Sequence, residues 1–185
     1  MITLDPKTTA LVLIDLQKGI LGRKLEPIPA EALVERGKAL AGRFRAAGAL
    51  VVLVNVVPAT GEERRVDEAS PLPAALPQGF ADLSPGLAEP EDLKITKRTR
   101  GAFSVPELDL RLRERGVRTI ALGGVATQFG VESTARQAWE LGYELVIVRD
   151  ATTSIALEAH DNSMRRIFPR IARLTDSTAL ALSPA

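Results

Sequence analysis

The side chains best suited to chemistry stand at the ends of apolar runs. Asp15 directly follows the apolar residues 10–14 and precedes Gln17, while Lys97 ends the short run 93–97. A carboxylate at the end of a buried strand is costly unless it is paired, hydrogen-bonded or protonated. Because adjacent strands lie about 4.8 Å apart, a lysine two strands away can still reach it. The two side chains can therefore meet, although Asp15 would also suit a helix cap and Lys97 a solvated surface.

A glycine-rich segment is the third place where chemistry is indicated. Residues 123–130 read Gly-Gly-Val-Ala-Thr-Gln-Phe-Gly and join a predicted strand to a predicted helix. Backbone N–H groups at such a helix N-terminus can hold an anion or a developing oxyanion. The segment matches neither the dinucleotide-binding fingerprint nor a P-loop, since no lysine follows its glycines. Nucleotide binding is therefore not expected.

The composition excludes several other chemistries. The 185 residues include 24 Lys+Arg, 23 Asp+Glu, one His and no Cys. Without cysteine there is no disulfide, no thiolate-bound zinc, no iron–sulfur cluster and no thiol nucleophile. A single histidine, His160, cannot build a histidine metal site, and we interpret it as a packing or hydrogen-bonding residue. We expect no metal and no other cofactor.

Charge and hydropathy limit the partners. The formal net charge of +1 gives no electrostatic reason to expect a nucleic acid. Arg111, Arg115 and Arg118 alternate with acidic residues, which indicates a solvated helix face. The longest apolar run, 49–54, has six residues, against the ~18 to 20 of a membrane span. Since the N-terminus also lacks the pattern of a signal peptide, we expect a cytoplasmic protein without a membrane partner.

Short apolar runs alternate with amphipathic stretches along the chain. The runs are apolar on both faces, which is typical of parallel strands covered by helices, and they lie at 10–14, 49–54, 117–122 and 145–148. Helices are predicted over 30–47, from a capping box at 104–107 to Gly116, over 128–141 and over 155–168. This alternation predicts an α/β protein with a doubly wound, three-layer α/β/α fold, in one domain over residues 1–185.

Individual residues mark the ends and buried faces of these helices. Gly48, Gly116 and Gly142 are placed to end three of them, and Pro169 is placed to end the last. The predicted buried stripes are Leu33, Leu40, Phe44 and Ala47 in the first helix, and Val131, Ala135 and Ala138 in the third.

Residues 57–91 interrupt the alternation and contain six of the twelve prolines. A connection of this length inside a compact domain is usually a lid or a subunit contact. A solvated surface excursion explains the same composition, and both interpretations stay open.

Four segments together resemble one known family. They are residues 9–17 (Thr-Ala-Leu-Val-Leu-Ile-Asp-Leu-Gln), 97–103 (ending Gly-Ala-Phe), 124–136 and 141–151. In order and spacing they are similar to the isochorismatase-like hydrolase superfamily of cysteine hydrolases, over essentially the whole chain. The resemblance implies a Rossmann-like fold with a six-stranded, mainly parallel sheet, a small-molecule substrate and a homo-oligomer, either a dimer or a tetramer.

The resemblance also implies roles for individual residues. Asp15 would be the acid/base aspartate, Lys97 its partner, and the Val125–Ala126 bond the family's cis peptide. Gly130 occupies the position of the catalytic cysteine. The residues that the resemblance places against the substrate are Gln17, Phe103, Val125 and Ala126.

Glycine at position 130 removes the thioester chemistry of the family. Ser133 and Thr134 are close in sequence, but neither has a nearby histidine base, so a hydroxyl nucleophile is not expected. Metal-binding relatives carry Asp-x-His where this chain has residues 55–57, Asn-Val-Val, so no metal is expected there.

Acid-catalysed hydrolysis of a vinyl ether, the reaction of isochorismatases, needs no nucleophilic side chain. Asp15 could supply the acid, although Lys97 would lower its pKa while burial would raise it. An anionic substrate would need cationic anchors, for which Arg65, Arg98 and Arg100 are candidates. Two hypotheses remain: a hydrolase without a cysteine nucleophile, and a catalytically silent member that binds a small ligand or serves as an assembly subunit.

Overall fold

Six parallel strands form the central sheet. The computed structural model describes residues 1–59, 65–68 and 75–183, and within them the main sheet has the order β4-β3-β2-β5-β6-β7. Its strands are β2 (Thr9–Ile14), β3 (Leu50–Val56), β4 (Leu93–Lys97), β5 (Thr119–Gly124), β6 (Glu144–Thr152) and β7 (Arg173–Thr175). Every pairing in it is parallel, and β1 (Ile2–Leu4) pairs separately with β8 (Leu180–Leu182). The predicted six-stranded, parallel sheet is confirmed.

The strand order reverses between β2 and β5. The chain runs outward from β2 through β3 to β4, and then returns to the other side of β2 and runs through β5 and β6 to β7. In open α/β sheets, ligands bind at the carboxyl ends of the strands beside such a switch point. The carboxyl end of β2 is therefore the place where this topology favours a site.

Helices cover both faces of the sheet, as predicted. They are α1 (Lys18–Leu21), α2 (Ala30–Ala46), α3 (Pro106–Glu114), α4 (Glu132–Glu140) and α5 (Leu157–Asn162). Along β2, Leu11 and Leu13 pack with α2, whereas Val12 and Ile14 pack into the second core with α3 and α4. This alternation of faces gives the three-layer arrangement. Among the described residues, no helix is both long and apolar enough to cross a membrane.

Most of the predicted helix signals are confirmed. Gly48, Gly116 and Gly142 follow the ends of α2, α3 and α4, each with a positive φ that favours glycine. The predicted buried stripes are also found, except that Ala47 lies just beyond α2 and is only half-buried.

Two helix boundaries were predicted wrongly. Ser104 does not cap α3, because its hydroxyl donates to the carbonyl of Gly101 at 2.7 Å and the helix begins at Pro106. Pro169 does not end the last helix: α5 continues as a π-helical turn, Ser163–Ile167, and then as a 3-10 turn, Phe168–Arg170, that contains the proline. Proline is tolerated there because the first residues of a helical turn need no N–H donor.

Strand β5 also differs from its predicted limits. β5 runs over Thr119–Gly124 rather than 117–122, and it includes both glycines of the glycine-rich segment. At Gly123 a Cβ would lie 2.7 Å from the carbonyl oxygen of Ala151, so close packing against β6 explains why glycine continues the strand.

Gly124 generates a prediction about stability. Its φ is +125°, and a Cβ there would lie 2.6 Å from the backbone nitrogen of Ile14. We expect Gly124→Ala to lower the free energy of unfolding in urea by about 3 kcal/mol or more, because backbone strain and overlap add.

Substitutions at two other glycines separate backbone strain from atomic overlap as causes of the lost stability. Gly142 has a φ of +86° but open space around its Cβ position, so Gly142→Ala should cost about 1 to 2 kcal/mol. Gly42 lies in α2 with nothing within 4 Å, so Gly42→Ala should stabilise by about 0.5 to 1 kcal/mol. An equal loss at positions 124 and 142 would show that the contact with Ile14 is unimportant.

Candidate active site

The candidate site is built around a buried ion pair at the carboxyl end of the sheet. Lys97, the last residue of β4, donates from Nζ to Oδ2 of Asp15 at 2.7 Å. Asp15 directly follows β2, and β3 lies between the two strands. The Lys97 and Asp15 side chains are only 1% and 7% exposed. The predicted proximity of the two residues is confirmed.

The two carboxylate oxygens of Asp15 have different surroundings. Oδ1 is buried and has no hydrogen-bond partner within the described part of the chain. The backbone of Asp15 is fixed by its N–H, which donates to the carbonyl of Val54 at 2.8 Å, and has a left-handed φ of 56°. Aspartate is among the residues that tolerate this conformation. The carboxylate is thus held in place by its backbone and by one oxygen, while the other oxygen has no partner.

Burial and Lys97 act on the acidity of Asp15 in opposite directions. Burial raises the pKa of Asp15 from 3.8 to about 6, against the opposing charge and hydrogen bond of Lys97. The sequence left open whether burial or Lys97 has the larger effect on the pKa of Asp15, and in the folded chain burial has the larger effect. Because Oδ2 accepts the hydrogen bond from Lys97, Oδ1 is the oxygen that would carry the proton.

Gly130 faces this carboxylate. It lies in the π-helical turn Thr127–Val131, which precedes α4. A Cβ at position 130 would lie 3.1 Å from Asp15 Oδ2 and 2.9 Å from Cγ2 of Ile14. A side chain here would press against Ile14 and the acid, whereas glycine lets the turn pack against the buried carboxylate.

The Val125–Ala126 peptide bond is cis, as the resemblance implied. The N–H of Val125 donates to the carbonyl of Ile14 at 3.0 Å, so this turn lies directly against the residue before Asp15. Val125 is buried and Ala126 half-buried. Their predicted contact with substrate stays a prediction.

Gln17 has a clear structural task. Its Nε2 donates to the carbonyls of Val56 and Phe80 at 3.0 and 2.9 Å, and its Oε1 accepts from the N–H of Val56 at 2.6 Å. The side chain thereby ties residues 80–84 to the end of β3. Its polar atoms bind main chain, so the predicted contact with substrate is not apparent here and stays a prediction.

Further hydrogen bonds hold residues 80–84 at the same end of the sheet. The N–H groups of Lys18 and Gly19 donate to the carbonyls of Asp82 and Phe80 at 2.9 and 3.0 Å. Asn55 donates from Nδ2 to the carbonyl of Ala81 at 2.9 Å, so its side chain is also engaged with this segment. These contacts fix residues 80–84 at this end of the sheet, and the lid, subunit-contact and surface interpretations of 57–91 stay predictions. Residues 60–64 and 69–74 of that segment lie outside the described residues.

Phe103 is placed away from the ion pair. Its ring packs against Tyr143 at 5.7 Å between centroids, and its N–H donates to Oε1 of Gln137 at 3.2 Å. These contacts belong to the core beneath α3 and α4. The predicted substrate contact of Phe103 gains no support from this placement and stays a prediction.

The candidate cationic anchors differ in their surroundings. The guanidinium of Arg100 lies 4.4 Å over the ring of Phe129, the neighbour of Gly130 in sequence. All three arginines are exposed, and no ring contact is found for Arg65 or Arg98 among the described residues. Of the three, Arg100 is therefore the one that the fold brings against the turn containing Gly130.

Two threonines beside Gly130 were not predicted to matter for the site. Thr134 donates from Oγ1 to the carbonyl of Gly130 at 2.7 Å and accepts from the N–H of Ala102 at 3.0 Å. Oγ1 of Thr127 lies 2.8 Å from Nδ1 of His160, and this hydrogen bond confirms the hydrogen-bonding interpretation of that histidine. The sequence signal for their role is spacing: Thr127 lies three residues before Gly130 and Thr134 four residues after it, about one helical turn away in each direction.

The ion pair generates a prediction about acidity. We expect Lys97→Met to raise the pKa of Asp15 above about 6, because both contributions of Lys97 lower that pKa. The pKa is measured from the carboxyl ¹³C shift of Asp15 during a pH titration by NMR.

A second lysine provides a matched control. Lys18 pairs with Asp82 at 2.9 Å, but both side chains are more than half exposed. Lys18→Met should leave the Asp15 titration unchanged and alter stability by less than about 1 kcal/mol. A fall in the pKa of Asp15 in Lys97→Met would contradict the assignment of opposing effects.

Comparison with known proteins shows the family. The isochorismatase domain matches residues 9–179. The uncharacterized isochorismatase family protein YecD of Escherichia coli O157:H7 is 46% identical over 179 residues, which cover 94% of this chain and 95% of that protein. The uncharacterized isochorismatase family protein YwoC of Bacillus subtilis is 39% identical over 178 residues, covering 93% and 92%.

A solved structure agrees over nearly the same length. An isochorismatase family protein from Burkholderia thailandensis has a TM-score of 0.88 and 34% identity, covering 96% of this chain and 95% of its own. With its sheet order, its Asp15–Lys97 pair and its cis peptide, the chain belongs to the isochorismatase family, as a member without cysteine.

Proposed function

We propose that this protein is a hydrolase of the isochorismatase family that acts on a small metabolite without a cysteine nucleophile. In this proposal Asp15 is the general acid/base and Lys97 is its partner. One observation carries it: beside Gly130, Asp15 is a buried acid whose Oδ1 has no partner among the described residues and whose pKa is raised to about 6. A group that titrates near neutrality is suited to both giving and taking a proton.

The site offers few side chains that could act as a nucleophile instead of a proton donor. The chain has no cysteine. The Thr134 hydroxyl donates to the carbonyl of Gly130, so its proton is already engaged. A reaction that needs only an acid and a water molecule is therefore favoured, and hydrolysis of a vinyl ether is such a reaction.

The steps balance with Asp15 as the only proton carrier. Asp15 Oδ1–H donates its proton to the terminal carbon of the C=C–O group, which forms a C–H bond and leaves an oxocarbenium ion. Water adds to the cationic carbon and returns a proton to the Asp15 carboxylate. The resulting hemiketal loses its alcohol and becomes a carbonyl compound, so the net reaction consumes one water.

Lys97 and Gly130 make these steps feasible in different ways. The ammonium of Lys97 holds Oδ2, which leaves Oδ1 for the proton, and its charge keeps the pKa of Asp15 from rising further. Gly130 avoids the contact that any other residue at this position would make with Oδ2. Arg100, stacked on Phe129, favours an anionic substrate. The proposal keeps the cytoplasmic location predicted from the sequence and includes a homo-oligomer, as the family resemblance implies.

The catalytically silent alternative is less well supported. A ligand-binding or assembly role does not require a buried carboxylate with an unpartnered oxygen, which is costly to keep. Such a cost is typical of functional sites, where perturbed pKa values cluster.

The proposal is tested with 2-methoxyacrylate, a small anionic vinyl ether whose hydrolysis gives pyruvate and methanol. We expect Asp15→Asn to lower kcat by about 100-fold or more, the usual contribution of a general acid. Because the acid must be protonated, kcat should be constant below pH 6 and fall about tenfold per pH unit above it. Glu35→Gln, at an exposed carboxylate in α2, is the control and should retain activity.

Other results would point elsewhere. Undiminished pyruvate release by Asp15→Asn would remove Asp15 from the mechanism. The silent alternative predicts that the natural chain shows no turnover but is stabilised by the saturated analogue 2-methoxypropanoate. A rise in melting temperature on adding this analogue, absent in Lys97→Ala, would establish that alternative for this class of ligand.

A further inference from the structure

One hydroxyl group joins three elements behind the candidate site. Thr127 Oγ1 donates to the carbonyl of Thr153 at 2.9 Å and lies 2.8 Å from Nδ1 of His160. Thr127 opens the π-helical turn that contains Gly130, Thr153 follows β6, and His160 lies in α5. The Thr127 and His160 side chains are buried, so no exchange with bulk water competes with these bonds.

Counting protons fixes the tautomer of His160. A hydroxyl has one hydrogen, and the hydrogen of Thr127 goes to the carbonyl of Thr153, which can only accept. Thr127 Oγ1 must then accept from His160, so Nδ1 carries the hydrogen. The neutral ring is therefore the Nδ1–H form, and Nδ1 keeps this hydrogen in the protonated ring as well.

The same turn is held from its other end. Thr134 Oγ1 donates to the carbonyl of Gly130, and it accepts from the N–H of Ala102, five residues beyond Lys97. Gly130 thus lies between two threonines whose hydroxyls are both engaged. The His160 contact fixes the start of the turn, and the Ala102 contact fixes its end.

We propose that His160 is a positioning residue: through Thr127 it holds the turn that carries Gly130 against Asp15, and it takes no part in proton transfer. This inference rests on the proposed function for its catalytic consequence, because the position of Gly130 determines how closely substrate and water approach Asp15. The turn also shields Asp15 from solvent, since the Cβ position of Gly130 is only 3.1 Å from Asp15 Oδ2.

Two substitutions at position 160 separate the hydrogen bond from the ring. His160→Leu removes the donor to Thr127, whereas His160→Asn keeps an N–H donor at a place comparable to Nδ1. We expect His160→Leu to lower kcat for 2-methoxyacrylate about tenfold or more, with a smaller change in KM, and His160→Asn to recover most of that loss. The dependence of kcat on pH should keep a single inflection in both variants.

A readout that does not need activity is the titration of Asp15 by ¹³C NMR. If the turn loosens, water reaches the carboxylate, and the pKa of Asp15 falls from about 6 toward its ordinary value of 3.8. We expect this fall in His160→Leu and in Thr127→Val. Thr152→Val is the matched control: it also removes a buried threonine hydroxyl, but one that donates within β6 to the carbonyl of Val148, so Asp15 should titrate as before.

The tautomer is tested in the natural chain by the ¹⁵N shifts of the His160 ring, which should show a protonated Nδ1 and an unprotonated Nε2. Three results would each overturn the positioning role. The first is a dominant Nε2–H form of His160, and the second is an Asp15 pKa that stays at about 6 in folded His160→Leu and Thr127→Val. The third is a loss of kcat in His160→Asn equal to that in His160→Leu. Should His160→Leu not fold, Thr127→Val carries the same test. Failure of the natural chain to hydrolyse 2-methoxyacrylate would refute the proposed reaction alone, since the NMR measurements still decide the role of His160.

Discussion

The Asp15–Lys97 ion pair is the constraint around which the rest of the molecule is arranged. Removing both charges from water is costly, and their mutual attraction offsets that cost only with good geometry. The sheet order supplies the geometry, because it places the ends of β2 and β4 on either side of β3. Residues 80–84, fixed by Gln17 and Asn55, lie over the same end of the sheet. The fold thus keeps an incompletely satisfied pair buried at its switch point.

Glycine at position 130 changes what such a pair can do. The chain has no cysteine, so no thiol nucleophile can act beside the pair. Here the nearest atom to the missing Cβ, apart from Ile14, is an oxygen of Asp15 itself. The same glycine therefore accounts both for the missing nucleophile and for the close packing of the turn against the acid. In the proposed function, proton transfer by Asp15 is the chemistry that this arrangement leaves.

Local sequence signals predicted much of this structure. The predictions failed where a side chain had more than one possible hydrogen-bond partner. Apolar runs located the strands, and a glycine with a positive φ marked the end of α2, α3 and α4. Ser104 was misassigned because its hydroxyl had two possible partners, a helix N–H and the carbonyl of Gly101, and only the folded turn selects between them. Gln17 matched the motif but serves the main chain of Val56 and Phe80. Likewise, the direction of the Asp15 pKa depends on depth of burial, which the sequence does not specify.

The side chains that hold the turn around Gly130, Thr127 and Thr134, are uncharged. This suits their position beside Asp15, whose pKa depends on nearby charge. A cation placed beside Asp15 to hold the turn would lower its pKa, and a second carboxylate would raise it. Threonine hydroxyls at 127 and 134 fix the turn through neutral hydrogen bonds. Burial lowers the pKa of His160, which keeps that ring neutral as well. The acidity of Asp15 is therefore set by burial and by Lys97, while the position of the turn can be fixed independently of it.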